Sequence, residues 1–301
     1  MYKFKTKPFE HQKDALKKCW NKKSFAVFAE MGTGKTKIAL DNACILYGKG
    51  SIDRLLVVAP KGTYMNWVDQ EIPVHVPDYI EKEILAWKPS TSERYKSQLK
   101  SIRSSDDYRL KIFVMNVEAL STKKGVDAAK LFLIGKSMMI VDESTTIKNP
   151  KAKRTKNILA LSKGAKYRRI LTGSPVTQSP MDLWSQMDFL DPEILGQQSF
   201  YAFRTKYAVL ITANAAGGTH KFQKIVKFKN LKELGKLVSP HSYRILKKDC
   251  LDLPEKTFTK RSIELSEEQR KAYDEMKSSA MTILKGQSAT AVNVFTQLIR
   301  L

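Results

Sequence analysis

One stretch near the N-terminus constrains the fold more than any other. An apolar run at residues 25–29 is followed by a glycine-bearing turn and then by a helix-forming segment at 37–47. Gly32 and Gly34 permit backbone torsions that turn successive N–H groups towards one point, and the helix N-terminus behind them adds a positive dipole end. A strand, a glycine turn and a helix in this order predict a phosphate-binding loop.

The side chains of this turn suit a nucleotide. Lys35 can reach the terminal phosphates as a point charge, and the Thr36 hydroxyl is placed for a magnesium ion that bridges them. The usual pattern is GxxxxGK[ST], and Ala29 stands at its first glycine. The alternative is a glycine turn before a surface helix whose lysine is solvated. The order of strand, turn and helix favours nucleotide binding over that alternative.

The charge of the chain points to a polyanionic partner. The 301 residues contain 53 Lys and Arg against 30 Asp and Glu, which gives a formal net charge of +23. Such a chain attracts polyanions, and nucleic acid is the leading candidate. No apolar run approaches the length of a membrane span, and the N-terminus lacks the apolar segment of a signal peptide. We therefore expect no membrane partner and a cytoplasmic location.

A second chemical landmark follows the apolar run at 137–141. This run ends in Asp142 and Glu143, and two carboxylates at the tip of a buried strand are costly unless a positive group lies opposite them. A nucleotide-bound magnesium ion would supply that charge. Asp142 would hold the ion and Glu143 would orient and deprotonate the attacking water. The alternative is an acidic N-cap for the next helix.

Further apolar runs predict more strands of one α/β sheet. The run at 54–60 ends in a proline and reads as a buried parallel strand, and other strands are predicted at 111–116 and around 169–172. Lys61 follows the first of these runs, at the strand end where open α/β sheets place their ligands. For Trp67, a few residues on, we expect inward packing.

Two basic stretches are candidate polyanion surfaces. One directly follows the acidic pair, and the other surrounds two β-prone pieces at 209–212 and 225–228, which predict a projecting hairpin. Either stretch is also compatible with a merely solvated face. The first comprises Lys148, Lys151, Lys153, Arg154, Lys156, Lys163, Lys166, Arg168 and Arg169, and the second Arg204, Lys206, Lys221, Lys224, Lys227, Lys229, Lys232, Lys236, Arg244, Lys247 and Lys248.

The C-terminal part predicts a strand and a helix. We expect the strand at 258–265 and a helix capped by Ser266, with Gln269 three residues on completing a capping box. The domain boundaries that we predict are 1–190 for the nucleotide-binding part, 191–253 for a basic helical and hairpin insertion, and 254–301 for a strand and helices beyond it.

Together these landmarks resemble the Swi/Snf-type helicase-like ATPases of superfamily two. The turn of 171–175 and the residues that follow the acidic pair are much more specific than any phosphate loop. The matching pieces are HQ at 11–12, AEMGTGKT at 29–36, VVAP with NW at 57–67, DESTTIKNP at 142–150, LTGSPVTQSPMDLWSQMDFLDP at 171–192 and DCLDLPEKTFTKRSIELSEEQRKAYDEM at 249–276. The resemblance covers nearly the whole chain and the front half of that family's motor.

The resemblance implies a fold, a cofactor and a set of roles. The fold is α/β, a P-loop RecA-like doubly wound parallel sheet with a helical and hairpin insertion, and the cofactors are ATP and Mg²⁺. The implied activity is that of a DNA-dependent ATPase that translocates on double-stranded DNA and remodels complexes bound to it. The implied roles are ATP binding by Gln12, Met31, Gly32, Thr33, Gly34, Lys35 and Thr36, catalysis by Lys35, Asp142 and Glu143, metal binding by Thr36 and Asp142, coupling by Thr145, Thr172, Gly173 and Ser174, and DNA binding by Lys61, Lys148 and Asn149.

Three departures from the family pattern shape our expectations. Ala29 replaces an aspartate that often precedes the phosphate loop, and Thr145 replaces a histidine at the fourth position of the acidic motif. The resemblance also implies a second RecA-like lobe, towards which residues 254–301 would lead and which the 301 residues do not include, and with it the arginines that reach the γ-phosphate. Because arginine fingers are worth about 3–5 orders of magnitude in rate, we expect the 301 residues to hydrolyse ATP poorly by themselves.

Two other functions compete with a duplex motor. A strand-separating helicase of superfamily two would share the same catalytic residues, and a non-motor scaffold would use the basic surfaces to hold nucleic acid or protein. A small-molecule P-loop kinase would not explain the charge of +23 or the LTGSP turn. The short N-terminus favours a bacterial or phage origin.

Overall fold

The computed structural model describes residues 2–104, 108–197, 199–214, 221–250, 257–271 and 273–274. The chain forms two compact units, residues 1–253 and 254–301. Of the elements in the described residues, the first unit contains every strand and the eleven α-helices given below. Among the described residues, no helix combines the length and the apolar character needed to cross a membrane.

A seven-stranded sheet forms the centre of the first unit. Its strand order is β3-β4-β2-β5-β6-β1-β9, and every neighbouring pair is parallel. This sheet confirms the predicted doubly wound α/β fold. The strands are β1 (Ser24–Ala29), β2 (Arg54–Ala59), β3 (Lys82–Ala86), β4 (Leu110–Asn116), β5 (Ser137–Asp142), β6 (Tyr167–Thr172), β7 (Ala208–Asn214), β8 (Lys221–Phe228) and β9 (Ser242–Ile245).

Helices cover both faces of the sheet. They are α1 (Glu10–Cys19), α2 (Lys35–Gly48), α3 (Tyr64–Asn66), α4 (Ile72–His75), α5 (Glu93–Ser101), α6 (Lys123–Phe132), α7 (Lys153–Ser162), α8 (Leu183–Leu190), α9 (Phe200–Tyr207), α10 (Leu231–Val238) and α11 (Lys247–Cys250). A π-helix, Trp67–Glu71, lies between α3 and α4. Short 3₁₀ segments are Val117–Ser121, Ser144–Ile147, Pro180–Asp182 and Ser239–His241.

The strand alternation divides the core into two layers. In β1, Phe28 belongs to the layer that includes residues of α7, α8 and α9, whereas Phe25 and Val27 belong to the layer that includes residues of α1 and α2. Successive side chains of a strand point to opposite faces, so a strand buried on both faces appears as a continuous apolar run. This is why the central strands could be predicted from such runs.

The antiparallel pairing of the predicted hairpin is confirmed. β7 and β8 pair antiparallel, with a register shift between Val209 and Leu210, while the turn at 215–220 lies outside the described residues. The predicted insertion of 191–253 also contains β9, which pairs with β1 at the edge of the main sheet. Its boundaries remain a prediction, but its last part belongs to the central sheet.

The strand predicted at 258–265 is wrong. Residues 257–266 form no helix or strand, and Phe258 and Ile263 are almost fully exposed. A strand needs a neighbour for its backbone hydrogen bonds, and the described residues of the second unit contain none. The capping box is confirmed, because Ser266 Oγ accepts a hydrogen bond from Gln269 N (3.3 Å) and Ser266 N donates to Gln269 Oε1 (3.1 Å).

Arg169 corrects the basic surface predicted at 148–169. Its side chain is 1% exposed and faces the layer between α1, α2 and β1. Burial lowers the pKa of this guanidinium to about 10. It donates hydrogen bonds to Asn42 Oδ1 and to the carbonyl oxygens of Cys19, Lys22, Lys23 and Arg168. Arg169 therefore cannot contact a phosphate backbone, and it holds the loop before β1 in place.

We expect Arg169→Lys to destabilise the chain strongly. A lysine ammonium has three donors and no planar fork, so it leaves at least one or two of these buried acceptors unsatisfied. The free energy of unfolding should fall by roughly 2–4 kcal/mol in a urea titration. The control is Arg154→Lys in α7, where the half-buried guanidinium donates through Nε to Thr146 O, and where we expect a loss under about 1 kcal/mol. Equal losses would contradict the structural role of Arg169.

Candidate active site

Three adjacent strands bring the predicted site residues together. β6 pairs with both β1 and β5, so that Phe28 lies opposite Thr172 and Asp142 lies opposite Leu171. The carboxyl ends of parallel strands meet at one edge of the sheet. The phosphate loop, the acidic pair and the LTGSP turn are therefore neighbours in space.

The phosphate loop has the backbone form that its glycines predict. Gly32 and Gly34 have φ angles of +83° and +80°, and α2 begins at Lys35 directly after them. The Thr33 hydroxyl donates to Glu30 O (2.8 Å) inside the loop. Lys35 and Thr36 thus stand on the first turn of a helix whose N-terminus suits an anion.

The helix α1 packs against this loop through two adjacent side chains. Gln12 donates from Nε2 to Thr33 O (3.2 Å), and its Oε1 accepts from Phe9 N (3.0 Å). His11 Nε2 also lies 2.9 Å from Thr33 O. Gln12 is buried, whereas Met31 at the tip of the loop is 71% exposed. The resemblance implies a place for Gln12 at the site, and its contact with the loop backbone was not predicted.

Lys35 and Glu143 form the ion pair at the centre of the site. Lys35 Nζ lies 3.0 Å from Glu143 Oε1, and Thr172 Oγ1 lies 3.4 Å from Glu143 Oε2. Glu143 has a φ of +44°, one of two residues other than glycine with positive φ among those described. A left-handed backbone costs an L-residue about 1–2 kcal/mol. Such strain clusters at functional sites, where the surrounding structure holds it in place.

Asp142 is a buried carboxylate with both oxygens engaged. Oδ2 accepts from Trp67 Nε1 (3.0 Å), and Oδ1 accepts from Glu143 N (3.0 Å). Burial raises the pKa of Asp142, while the hydrogen bond from Trp67 and the charge of Lys35 act in the opposite direction. The inward packing predicted for Trp67 is confirmed. Its hydrogen bond to Asp142 was missed, because only the fold brings these two residues together.

The π-helix adds a further carboxylate near the site. Glu71 lies one turn after Trp67, and burial raises the pKa of its carboxyl. Asp142 raises this pKa further, whereas Lys35 lowers it. Glu71 Oε2 also lies 3.5 Å from His75 Nε2. Single-turn π-helices occur often at functional sites, because the extra residue changes the direction of the side chains around it.

The LTGSP turn lies against the phosphate loop. A Cβ added to Gly173 would lie 3.3 Å from Ala29 O and Glu30 Cα, tighter than ordinary packing. Ser174 N donates to Thr172 Oγ1 (3.2 Å), which links the turn to the hydroxyl beside Glu143. The predicted coupling residues Thr172, Gly173 and Ser174 thus sit between the two halves of the site.

A buried amide joins the acidic motif to this turn. Ser144 Oγ donates to Gln186 Oε1 (2.6 Å), and Gln186 Nε2 donates to Pro175 O (2.7 Å) and Asp182 O (2.8 Å). Gln186 is fully buried in α8. Thr145, the residue that replaces the family histidine, is half-buried in the 3₁₀ segment that begins at Ser144. No sequence signal pointed to Gln186 beyond its place in the matching piece at 171–192.

The last part of the first unit also reaches the phosphate loop. Glu30 N donates to Ile245 O (3.1 Å) in β9, and Glu30 Oε2 accepts from Lys247 N (2.6 Å) at the start of α11. The end of the Lys247 side chain lies near Gly32, with Cε 3.6 Å from the position of an added Cβ. These contacts were not predicted, because β9 carries no strong apolar pattern.

The residues predicted to face DNA follow the ends of the strands. Lys61 is exposed after β2, and β2 is the neighbour of β5 in the sheet. Lys148 is half-buried, with Nζ donating to Thr177 Oγ1 (2.7 Å), and Asn149 is exposed with Oδ1 accepting from Lys151 N (2.9 Å). Their role in DNA binding remains a prediction.

The fold and the loop define an α/β protein with a RecA-like P-loop nucleotide site. The sequence matches the family described as "SNF2-related domain" over residues 11–301, and the chain belongs to this family.

Relatives and solved structures agree with this assignment. The chain is 28% identical over 226 residues to the helicase-like transcription factor of Mus musculus and 26% identical over 289 residues to Protein CHROMATIN REMODELING 4 of Arabidopsis thaliana. These matches cover 74% and 92% of the chain but only 20% and 12% of the two relatives. The SWI2/SNF2 ATPase core of Sulfolobus solfataricus, solved in complex with dsDNA, has the same fold with a TM-score of 0.61 and 23% identity, over all of this chain and 58% of the other.

The backbone of the phosphate loop predicts that a methyl group at position 34 lowers the free energy of unfolding. Gly34→Ala forces a left-handed φ on alanine and places Cβ 2.2 Å from Gln12 Nε2. We expect the free energy of unfolding to fall by about 1–2 kcal/mol from the torsion alone, measured by urea denaturation. Gly48→Ala in the same helix is the control, because open space surrounds Gly48 and the change should raise the free energy of unfolding by up to about 1 kcal/mol. A neutral Gly34→Ala would contradict the observed loop.

The Trp67 hydrogen bond predicts a second difference in stability. Trp67→Phe keeps a buried ring but removes the donor to the Asp142 carboxylate, and a hydrogen bond to a charged group is worth about 1.5–3 kcal/mol. The matched control is Trp87→Phe, a buried tryptophan that packs on Tyr95 and Phe113. At neutral pH we expect Trp67→Phe to lower the free energy of unfolding by that amount more than the control does. Equal values would mean that only ring volume matters at Trp67.

Proposed function

We propose that the chain is the ATP-binding and hydrolysing lobe of a DNA-dependent ATPase that translocates on double-stranded DNA and remodels complexes bound to it. The observation that carries the proposal is the 3.0 Å pair between Lys35 of the phosphate loop and Glu143 of the acidic motif, with Thr172 of the LTGSP turn beside Glu143. Three of the motifs that carry the resemblance thus converge at one edge of the sheet.

ATP would bind against the loop of Gly32, Thr33 and Gly34. Lys35 would contact the terminal phosphates, and the exposed Met31 would flank them. Gln12 would read adenine. Its Nε2 donates one hydrogen bond to Thr33 O, and its Oε1 accepts one from Phe9 N. Each of these two atoms can therefore form one more hydrogen bond. The support for this set is that α1 holds Gln12 directly on the loop.

Thr36 and Asp142 fit a Mg²⁺ ion that is shared with the phosphates. Magnesium takes one or two protein oxygens and completes its shell with water and phosphate oxygens. Asp142 is a buried carboxylate whose oxygens each accept one hydrogen bond, which leaves acceptor capacity for a water of the ion. When bound, the ion would neutralise negative charge on the phosphates.

The ion pair implies a change of partners when nucleotide binds. Lys35 would leave Glu143 for the phosphates, because one ammonium cannot serve both at short range. Glu143 would then be free to accept a proton from the attacking water. Thr172 would hold the second oxygen of Glu143, and Trp67 would orient Asp142 from the opposite side.

Coupling to DNA would pass through the contacts between the acidic motif and the LTGSP turn. Thr172, Gly173 and Ser174 lie against Glu143 and the phosphate loop, and Gln186 links Ser144 to Pro175. A shift of Glu143 on nucleotide binding would therefore move the turn. Thr145 would take the place of the family histidine in this relay.

Double-stranded DNA is the partner that we propose. The support is the charge of +23, the exposure of Lys61 and Asn149 beside the carboxyl ends of the strands, and the Sulfolobus relative, which was solved with dsDNA. A second RecA-like lobe would close the nucleotide site from the other side. We retain the cytoplasm as the proposed location.

The decisive measurement is ATP hydrolysis by the full-length protein with no nucleic acid, with single strands and with duplex DNA. We expect stimulation by duplex DNA and its loss in both Lys35→Ala and Glu143→Gln. Glu143→Gln should still bind ATP, because it leaves the loop and Lys35 unchanged. Lys100→Ala in α5 serves as a control outside the site and outside both basic stretches, and it should retain turnover.

Other outcomes would select a different function. Displacement of a labelled strand from a tailed duplex, abolished by Glu143→Gln, would identify a strand-separating helicase. Nucleic-acid binding without any stimulated hydrolysis, unchanged in Glu143→Gln, would identify a scaffold and would make Thr145 the first residue to replace with histidine.

A further inference from the structure

A groove between α7 on one side and α8 and α9 on the other is separate from the nucleotide site. It has a volume of about 850 Å³ and runs from the turn at Pro150 and Lys151, along α7, to the start of β6 at Arg168. The opposite wall comes from α8 and α9, with Trp184, Phe200 and Tyr201. The groove therefore begins next to Asn149, which the proposed function assigns to DNA.

The charge of this groove favours an anion. Lys151, Lys156, Lys163 and Arg168 line it, and Asp188 is the one carboxylate among its lining residues. Burial raises the pKa of Asp188, while the charge of Lys163 lowers it. Arg168 Nε is buried and has no hydrogen-bond partner among the described residues. The guanidinium group of Arg168 can donate hydrogen bonds to an acceptor such as a phosphate oxygen in the groove.

The aromatic wall of the groove favours a ligand that offers flat ring surfaces as well as phosphates. Trp184 and Phe200 are half-buried and meet edge to face at 5.8 Å between ring centroids, and Phe200 meets Tyr201 at 6.2 Å. Tyr201 is 59% exposed. Apolar ring surface in a basic groove is covered poorly by duplex DNA, whose bases are stacked on one another. A single strand presents both phosphates and free base faces.

We propose that this groove binds a short segment of single-stranded nucleic acid, with Tyr201 stacking on a base and with Lys151, Lys156 and Lys163 contacting the backbone. The ten residues of α7 span about 15 Å, so the basic residues along the groove are spread over the length of a few nucleotides. This site is additional to the duplex contacts of the proposed function and does not depend on ATP hydrolysis.

The test is fluorescence anisotropy with a labelled oligothymidine strand of about 12 nucleotides and, in parallel, a duplex of equal length, without nucleotide. The protein is the full chain. A stacked base is worth about 1–3 kcal/mol, so Tyr201→Ala should weaken single-strand binding by about 5- to 150-fold, while Tyr201→Phe should retain it. Tyr108→Ala is the matched control, because Tyr108 is exposed and lies outside the groove.

The basic residues of the groove provide a second, independent test. Lys156→Ala should weaken oligothymidine binding and reduce the slope of log affinity against log salt by about 0.7, the value for one phosphate contact of a single strand. Lys100→Ala in α5 is the control, since Lys100 is exposed and outside the groove. An unchanged slope in Lys156→Ala would remove α7 from the site.

Three results would overturn the proposal. The first is equal single-strand affinity in Tyr201→Ala and Tyr108→Ala. The second is an equal loss of duplex binding in Tyr201→Ala, which would make the groove part of the duplex surface. The third is displacement of the oligothymidine by a glutamate–tyrosine copolymer that binds more tightly and depends on Tyr201, which would identify an acidic polypeptide as the occupant. Duplex-stimulated ATP hydrolysis should persist in Tyr201→Ala. ATP hydrolysis therefore tests the proposed function, and oligothymidine binding tests the groove independently.

Discussion

The parallel pairing of β6 with both β1 and β5 is the constraint on which the candidate site depends. It fixes the phosphate loop, the acidic pair and the LTGSP turn at one edge of the sheet, although they are far apart in the sequence. The contacts of Lys35, Glu143 and Thr172 then follow from short loops that leave these three strands. Even the glycine of the turn is required by this pairing, because the phosphate loop passes directly beneath it.

The same edge carries groups that oppose folding. Asp142 is desolvated and Glu143 has a left-handed backbone, and both features cost free energy in the absence of a ligand. Neighbours offset part of this cost: the Trp67 indole bonds to Asp142, and the Lys35 ammonium pairs with Glu143. Because Lys35 and Glu143 are paired with each other, Lys35 can exchange Glu143 for a phosphate group, which is what nucleotide binding requires.

The predictability of the fold differs between central and edge strands. β1, β2, β4, β5 and β6 are central, and burial on both faces gives them continuous apolar runs that a sequence reveals. β3 and β9 were missed because each is an edge strand with a partly exposed, charged sequence, and β9 buries only Ile245. Their place is decided by the neighbour they pair with, β4 for β3 and β1 for β9. Conversely, the β-prone stretch at 258–265 has no such neighbour in the described part of its unit and forms no strand.

The residues of the site divide in the same way, into those that local sequence predicts and those that only the fold brings into contact. Lys35, Thr36, Asp142 and Glu143 follow from local spacing. Lys35 and Thr36 begin α2 just after the loop that follows β1, whereas Asp142 ends β5 and Glu143 comes directly after it. Trp67 and Gln186 do not, because their partners are distant in the sequence and known only from the fold. Arg169 is the sharpest case. It ends a run of basic residues, yet the inward side of β6 turns it into the core, while Arg168, its neighbour on the other face of the strand, reaches the groove beside α7. Charge along a sequence therefore measures attraction for a polyanion, whereas strand alternation decides which of those charges the polyanion meets.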